Sequence, residues 1–407
     1  MTEANIESAG NHRTTLCREF SFASTILLLV FGSLIYSEHP GHVISTHYHR
    51  NQIVCPFTLA NIKGGEKAEF CKYEPPALKV CSPAQLSRLH EYFLGRASNG
   101  SQWAEGMLRL SPCDIWPHIM GRTLWLLGDS TTEHFMLALE CFFIGWYELE
   151  TSEHFDGRTP ASNNTEAMEK ASGWDGGQSA MVQPWCILLP KDTRICFIRA
   201  NTGLEWTQKV LPVFWGLGAQ PHDIIVGNFG LWAWGEPALQ DDLDALQRWV
   251  HNTTRRPFMI WRETSPQYFS TETGDFYGAV KPYQCQPIGG REDTVQLLPD
   301  GSLCTQEQSL QVVLEGNWRN KASTAVVEAL GIPVMRIWNE SVPLWEFHYE
   351  SIRNLDGTMG VGEDCTHSCH PSTYQIWIYS LYRVLSEYQD MLPQKQASEI
   401  NGGGEVN

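Results

Sequence analysis

Basic residues are scarce in this chain: 29 Lys and Arg stand against 46 Asp and Glu, a formal net charge of -17. A surface this acidic opposes a polyanion, so it excludes nucleic acid as a partner and disfavours unassisted docking on anionic lipid. No internal repeat is visible, which removes solenoid architectures. No glycine-rich phosphate loop stands out, so no tightly bound nucleotide cofactor is expected. Zinc-type spacing is missing too. Cys365, His367, Cys369 and His370 do not match common ligand sets, and His39, His42, His47 and His49 have no carboxylate or thiol between them. That histidine cluster reads as a solvated stem, and no metal site is expected.

Long apolar runs are limited to one. Residues 20–37 include Thr25-Ile26-Leu27-Leu28-Leu29-Val30-Phe31 and carry no charge after Phe20. As a helix, eighteen residues reach roughly 27 Å, enough to cross a thin bilayer. Arg13 and Arg18 on the N-terminal side favour a cytoplasmic N-terminus and a lumenal body. The expectation is a type II single-pass anchor in the Golgi or another secretory-pathway membrane. The alternative is a signal peptide cleaved near Ser37, giving a secreted protein. Four glycosylation sequons, at Asn99, Asn163, Asn252 and Asn339, agree with either route. Of twelve cysteines, eleven lie beyond the apolar run, where an oxidising lumen would pair most of them. Eleven is odd, so one lumenal thiol is expected to be free or to bond another chain.

The rest is ordinary globular composition, 42% hydrophobic and 18% charged, long enough for a large core. Sixteen Trp are many for this length; they fit core packing, or a groove that stacks on sugar rings, and composition does not choose. The chain divides into a cytoplasmic tail (1–19), the span (20–37), a stem with a loop-rich, cysteine-stapled lead-in (38–111), a catalytic domain (112–392) and a disordered tail (393–407). Within 112–392, apolar runs at 123–127, 194–199, 223–226, 257–262 and 333–337 alternate with helical patterns at 132–143, 237–250, 309–330 and 372–388. Such alternation predicts an α/β fold, a parallel sheet of about five strands between two helical layers. Ligands of such sheets sit at the carboxyl ends of the strands.

Three segments carry chemistry. Gly128-Asp129-Ser130 follows an apolar run and opens a helical pattern, which exposes the serine hydroxyl at a strand-to-helix turn and puts its N–H where negative charge is favoured. An ordinary helix cap by Asp129 or Ser130 fits the same string. Asn228, just after the run ending at Val226, is a candidate oxyanion donor, and an Asn228/Gly230 turn is the plainer reading. Asp364-Cys365-Thr366-His367-Ser368-Cys369 offers a carboxylate three residues before an imidazole, the pair that orients and supplies a base for a serine. Disulfides at Cys365 and Cys369 would hold that loop rigid.

Taken together, these segments resemble the PC-esterase group that includes the plant trichome-birefringence-like O-acetyltransferases, a branch of the SGNH (GDSL-like) hydrolase fold. Residues 125–130 are similar to the family's nucleophile block, and 364–369 to its Asp-Cys-x-His-x-Cys block. Asn228-Phe229-Gly230-Leu231-Trp232 and Arg262-Glu263-Thr264-Ser265-Pro266-Gln267-Tyr268-Phe269 are similar to two further blocks, all in the family's order. The plant members usually carry Leu-Ser/Arg-x-Asn after the serine, whereas Thr131-Thr132-Glu133-His134 follows here. The resemblance implies an O-acyltransferase, most simply an O-acetyltransferase, acting on glycan or polysaccharide hydroxyls, with Ser130, His367 and Asp364 as nucleophile, base and orienting acid. It places Gly128, Asp129, Asn228, Gly230, Trp232 and Arg262 around the oxyanion and substrate. Acetyl-CoA or an acetylated carrier would supply the acyl group, with room for a membrane partner that delivers it. A carbohydrate acyl-esterase and an inactive glycan-binding protein are the other readings.

Overall fold

The computed structural model describes residues 81–143, 184–189, 191–349 and 362–393. Its centre is strand β1 (Thr123–Gly128), buried at all six positions. Leu124 and Leu126 face one side of the sheet and Trp125 and Leu127 the other, so both faces must be covered. Strands β3 (Thr193–Arg199) and β4 (Ile224–Gly227) flank β1 in parallel register. Beyond β4 come β5 (Phe258–Arg262) and β8 (Val334–Met335), again parallel. These are the five expected strands. A sixth, β2 (Trp185–Leu189), lies antiparallel on the outer edge of β3, so the sheet is mixed and runs β2-β3-β1-β4-β5-β8. Two small antiparallel pairs stand apart: β6 (Gln296–Leu297) with β7 (Leu303–Cys304), and β9 (His348–Tyr349) with β10 (Asp364–Ser368).

One face of the sheet packs Trp125, Leu127, Ile198, Ile225 and Trp261 against Trp206, Phe214, Leu239, Leu243 and Val327. Leu239 and Leu243 come from α5 (Glu236–Asn252) and Val327 from α6 (Asn317–Ala329). The opposite face carries α4 (Ser130–Phe143) and α7 (Thr373–Glu387), which pack on each other with Phe135 meeting Trp377 edge-on. The result is a three-layer α/β sandwich. Asp223 ties its base together: the buried carboxylate accepts from Thr123 N, Trp125 Nε1 and Gln220 N.

The described part of the lead-in is helical, which corrects the loop-rich reading. Helix α1 (Pro83–Ser98) opens with a capping box in which Ser82 and Gln85 satisfy each other's backbone N–H groups. Ser101 caps α2 (Gln102–Arg109), and Pro112 begins α3 (Pro112–Ile119). Helices α2 and α3 pack on α7. No helix among the described residues is long and apolar enough to cross a membrane, and the expected span at 20–37 lies outside them, as do residues 1–19, the histidine stem and residues 394–407. All nine described cysteines are disulfide-bonded, including Cys113, Cys141 and Cys304; the expected odd thiol is not among them. Asn99 and Asn252 are exposed, whereas Asn339 is half-buried and its amide donates to Gly301 O. Asn163 lies outside the described residues.

Candidate functional site

Strand β1 ends at Gly128, where a Cβ would fall 2.1 Å from Thr132 Oγ1 and 2.8 Å from Asn228 O, so no side chain fits. Asp129 then starts α4: its Oδ1 accepts from Thr131 N at 2.9 Å and Thr131 Oγ1 at 2.6 Å, and its carbonyl accepts from Glu133 N. Asp129 is thus the helix cap, fully buried and turned inward. That corrects its placement beside substrate. Ser130, the first residue of α4, is left half-buried with its hydroxyl at the carboxyl end of the sheet.

The second half of the site comes from β10, 237 residues away in sequence. His367 Nε2 lies 2.7 Å from Ser130 Oγ. On the other side of the ring, Nδ1 lies 2.8 Å from Asp364 Oδ2. The second oxygen, Asp364 Oδ1, accepts from the backbone N–H groups of Thr366 and His367, both at 3.1 Å. Burial alone would raise the Asp364 carboxyl, but the hydrogen bond and charge of His367 and the two N–H donors outweigh it and hold it at about 2. A proton on His367 Nδ1 therefore leaves Nε2 as the acceptor that faces the serine.

Two disulfides clamp this loop, Cys285–Cys365 and Cys81–Cys369. Both cysteines flanking the imidazole are bonded as expected, and their partners are now identified. Inside the loop, His348 Nδ1 donates to the carbonyl oxygens of Asp364 (3.1 Å) and His367 (2.9 Å), and Gln267 Nε2 donates to Thr366 Oγ1 (2.9 Å). His348 carries no local motif, and no signal in the sequence marks it.

Asn228 is buried, and both its amide N–H groups are committed, to Arg262 O at 2.8 Å and Thr264 Oγ1 at 3.0 Å, while its Oδ1 accepts from Gly230 N. It builds the turn after β4, and the oxyanion-donor expectation is corrected accordingly. Gly230 is fixed within the same turn, since a Cβ there would lie 2.3 Å from Thr264 Oγ1. Arg262 is also turned inward. Fully buried, it donates to Thr131 Oγ1 (3.1 Å), Thr132 Oγ1 (3.0 Å) and Glu263 O (3.3 Å), with its guanidinium 4.4 Å from the centre of the Trp377 ring. Arg262 thus braces the nucleophile turn from beneath instead of meeting substrate. Trp232 is different: it stands 41% exposed on the loop after β4, with Trp234 75% exposed two residues on. At the end of β3, Arg199 pairs with Glu133 of α4 at 3.0 Å.

One tight cluster of metal-ligand types, Cys285, Glu363 and Cys365, exists among the described residues. Its two sulfurs are joined in a disulfide, so they offer no thiolate. The arrangement around Ser130 is that of a serine activated by an imidazole oriented by a carboxylate, chemistry suited to acyl transfer.

No family model matches the chain, and no curated protein does. Among solved structures it is similar to LAE5, an alpha/beta hydrolase enzyme from the metagenome of Lake Arreo, Spain, at 11% identity and a TM-score of 0.30, over 66% of this chain and 96% of that one.

Proposed function

We propose that this chain is an O-acyltransferase, most simply an O-acetyltransferase, that moves an acyl group onto a glycan hydroxyl through Ser130. What supports the reading is the contact series Asp364 Oδ2–His367 Nδ1 at 2.8 Å and His367 Nε2–Ser130 Oγ at 2.7 Å. In this mechanism Ser130 Oγ attacks the donor carbonyl while His367 Nε2 takes its proton. The imidazolium, held in place by ionised Asp364, gives that proton to the leaving group, and an acyl-serine remains. A sugar hydroxyl then loses its proton to His367, attacks the acyl carbonyl and departs as the ester, and the proton returns to Ser130. The Ser130 N–H, at the start of α4, serves the oxyanion with the positive end of the helix behind it. Trp232, 41% exposed, and the more exposed Trp234, at 75%, offer indole faces to a sugar ring.

Water in place of the sugar makes the same triad an esterase. The test is mass spectrometry of the full chain with an acetyl-ester donor and mixed glycan oligomers, with Ser130→Ala alongside. Acetylated oligomer that depends on Ser130 is expected. Ser130-dependent release of acetate with unmodified oligomers would replace transfer by hydrolysis.

A further inference from the structure

His134 lies one helical turn beyond Ser130 on α4, so the two side chains share a face. Its imidazole stacks on that of His367, with ring centres 4.8 Å apart and planes at 27°. It also stacks on Tyr374, at 5.8 Å and 20°. Tyr374 meets Trp377 edge-on at 4.9 Å, and Trp377 carries the Arg262 guanidinium, which reaches back to Thr131 and Thr132 beside the serine. A continuous series of contacts therefore runs from the base, through His134, to the turn that holds Ser130.

We propose that His134 is a positioning residue for the base: its ring fixes the plane of His367, so that Nε2 stays on Ser130 Oγ while Nδ1 stays on Asp364. This rests on the triad reading above. A single hydrogen bond from Nδ1 to Asp364 Oδ2 leaves the imidazole free to rock about that contact, and a stacked ring removes the motion. The face His134 presents to an imidazolium is also favourable as long as His134 itself is neutral. Its surroundings keep it so. Burial lowers it well below the usual histidine range, His367, His370 and Arg199 push the same way, and only Asp364 opposes them.

The experiment measures the rate at which a fluorophosphonate probe labels Ser130 in the full chain, for wild type, His134→Ala, His134→Gln and His134→Phe. The probe needs an activated serine but neither acyl donor nor glycan. Loss of the ring in His134→Ala and His134→Gln is expected to slow labelling roughly 10- to 100-fold, the scale of a small misplacement of a catalytic group. His134→Phe, which restores a ring, recovers most of that loss, and the low-field Nδ1 proton of His367 sharpens with it in NMR spectra. Gln, close to His in size, keeps the test decisive if the smaller residue unsettles the helix. Ala and Gln variants that label at the wild-type rate, or a Phe variant as slow as Ala, would overturn the proposal while leaving the triad intact. A wild-type chain that does not label at all would overturn the triad reading instead, and this proposal with it.

Discussion

Cys365, bonded to Cys285, sits between Asp364 and the backbone leading to His367, so the disulfide anchors the span that sets the carboxylate against the imidazole. Cys369 bonds Cys81 across 288 residues and fixes the far end of the same loop. Bridges closing loops of this size contribute roughly 2–5 kcal/mol to stability. Their reduction is expected to abolish Ser130-dependent activity and to lower the melting temperature. Activity assays with and without a phosphine reductant, with free thiols counted by mass spectrometry, check it. Full activity after both bonds are open would show that the loop holds itself.

Arg262→Lys should damage the nucleophile turn without touching substrate. Burial lowers the guanidinium only to about 10, so it is charged at neutral pH. Lysine cannot span Thr131, Thr132 and the Trp377 face together. A stability loss of roughly 2–4 kcal/mol is expected, with kcat falling and KM little changed. Denaturant melts and steady-state kinetics on the same preparation separate the two effects.

How much of this was legible in the sequence follows from what each residue answers to. The five parallel strands announce themselves because a strand buried on both faces must be a near-continuous apolar run, as Leu124-Trp125-Leu126-Leu127 is. Edge strand β2 did not, since its five residues include exposed Leu188 and no helix separates it from β3. Helix α1 buries only Gln85, Leu89 and Phe93, too thin a stripe to register. Ser130 stands out by its strand-to-helix turn, and Asp364 and His367 by their short spacing; the structure brings the three to hydrogen-bond distance. Asn228 and Arg262, expected around the oxyanion and substrate, turn inward. Their partners, Thr264, Thr131 and Trp377, are tertiary, and residue type alone does not say which way a polar side chain turns.

Acid sensitivity has a specific source. His348 and His370 are both lowered to about 4, chiefly by burial. Their unfolded-state value is about 6.5, so between those two values the unfolded chain binds more protons. Stability therefore falls as pH drops from about 6.5 to 4, by up to roughly 3 kcal/mol per histidine. Replacing His370 with Gln removes one of these protonations. Between pH 6.5 and 4.5 the melting temperature of that variant is expected to fall less than that of wild type. Parallel curves would contradict the assignment.

Glu340 works in the opposite direction. Burial is the main cause that raises its carboxyl to about 7, with Glu263 adding to the shift. The neutral form suits the folded chain, so its contribution is complete below about 4.5 and is lost as pH rises through about 7. Glu340→Gln mimics the neutral acid. It should raise the melting temperature at pH 8 and leave it nearly unchanged at pH 5.

The most direct test of the central claim is to map where a fluorophosphonate probe bonds to the folded full-length chain. Ser130 is the expected site, with labelling abolished in Ser130→Ala and slowed in Asp364→Asn by on the order of 10³-fold or more. A folded chain that takes no label, or takes it elsewhere regardless of Ser130, would contradict a nucleophilic role for Ser130.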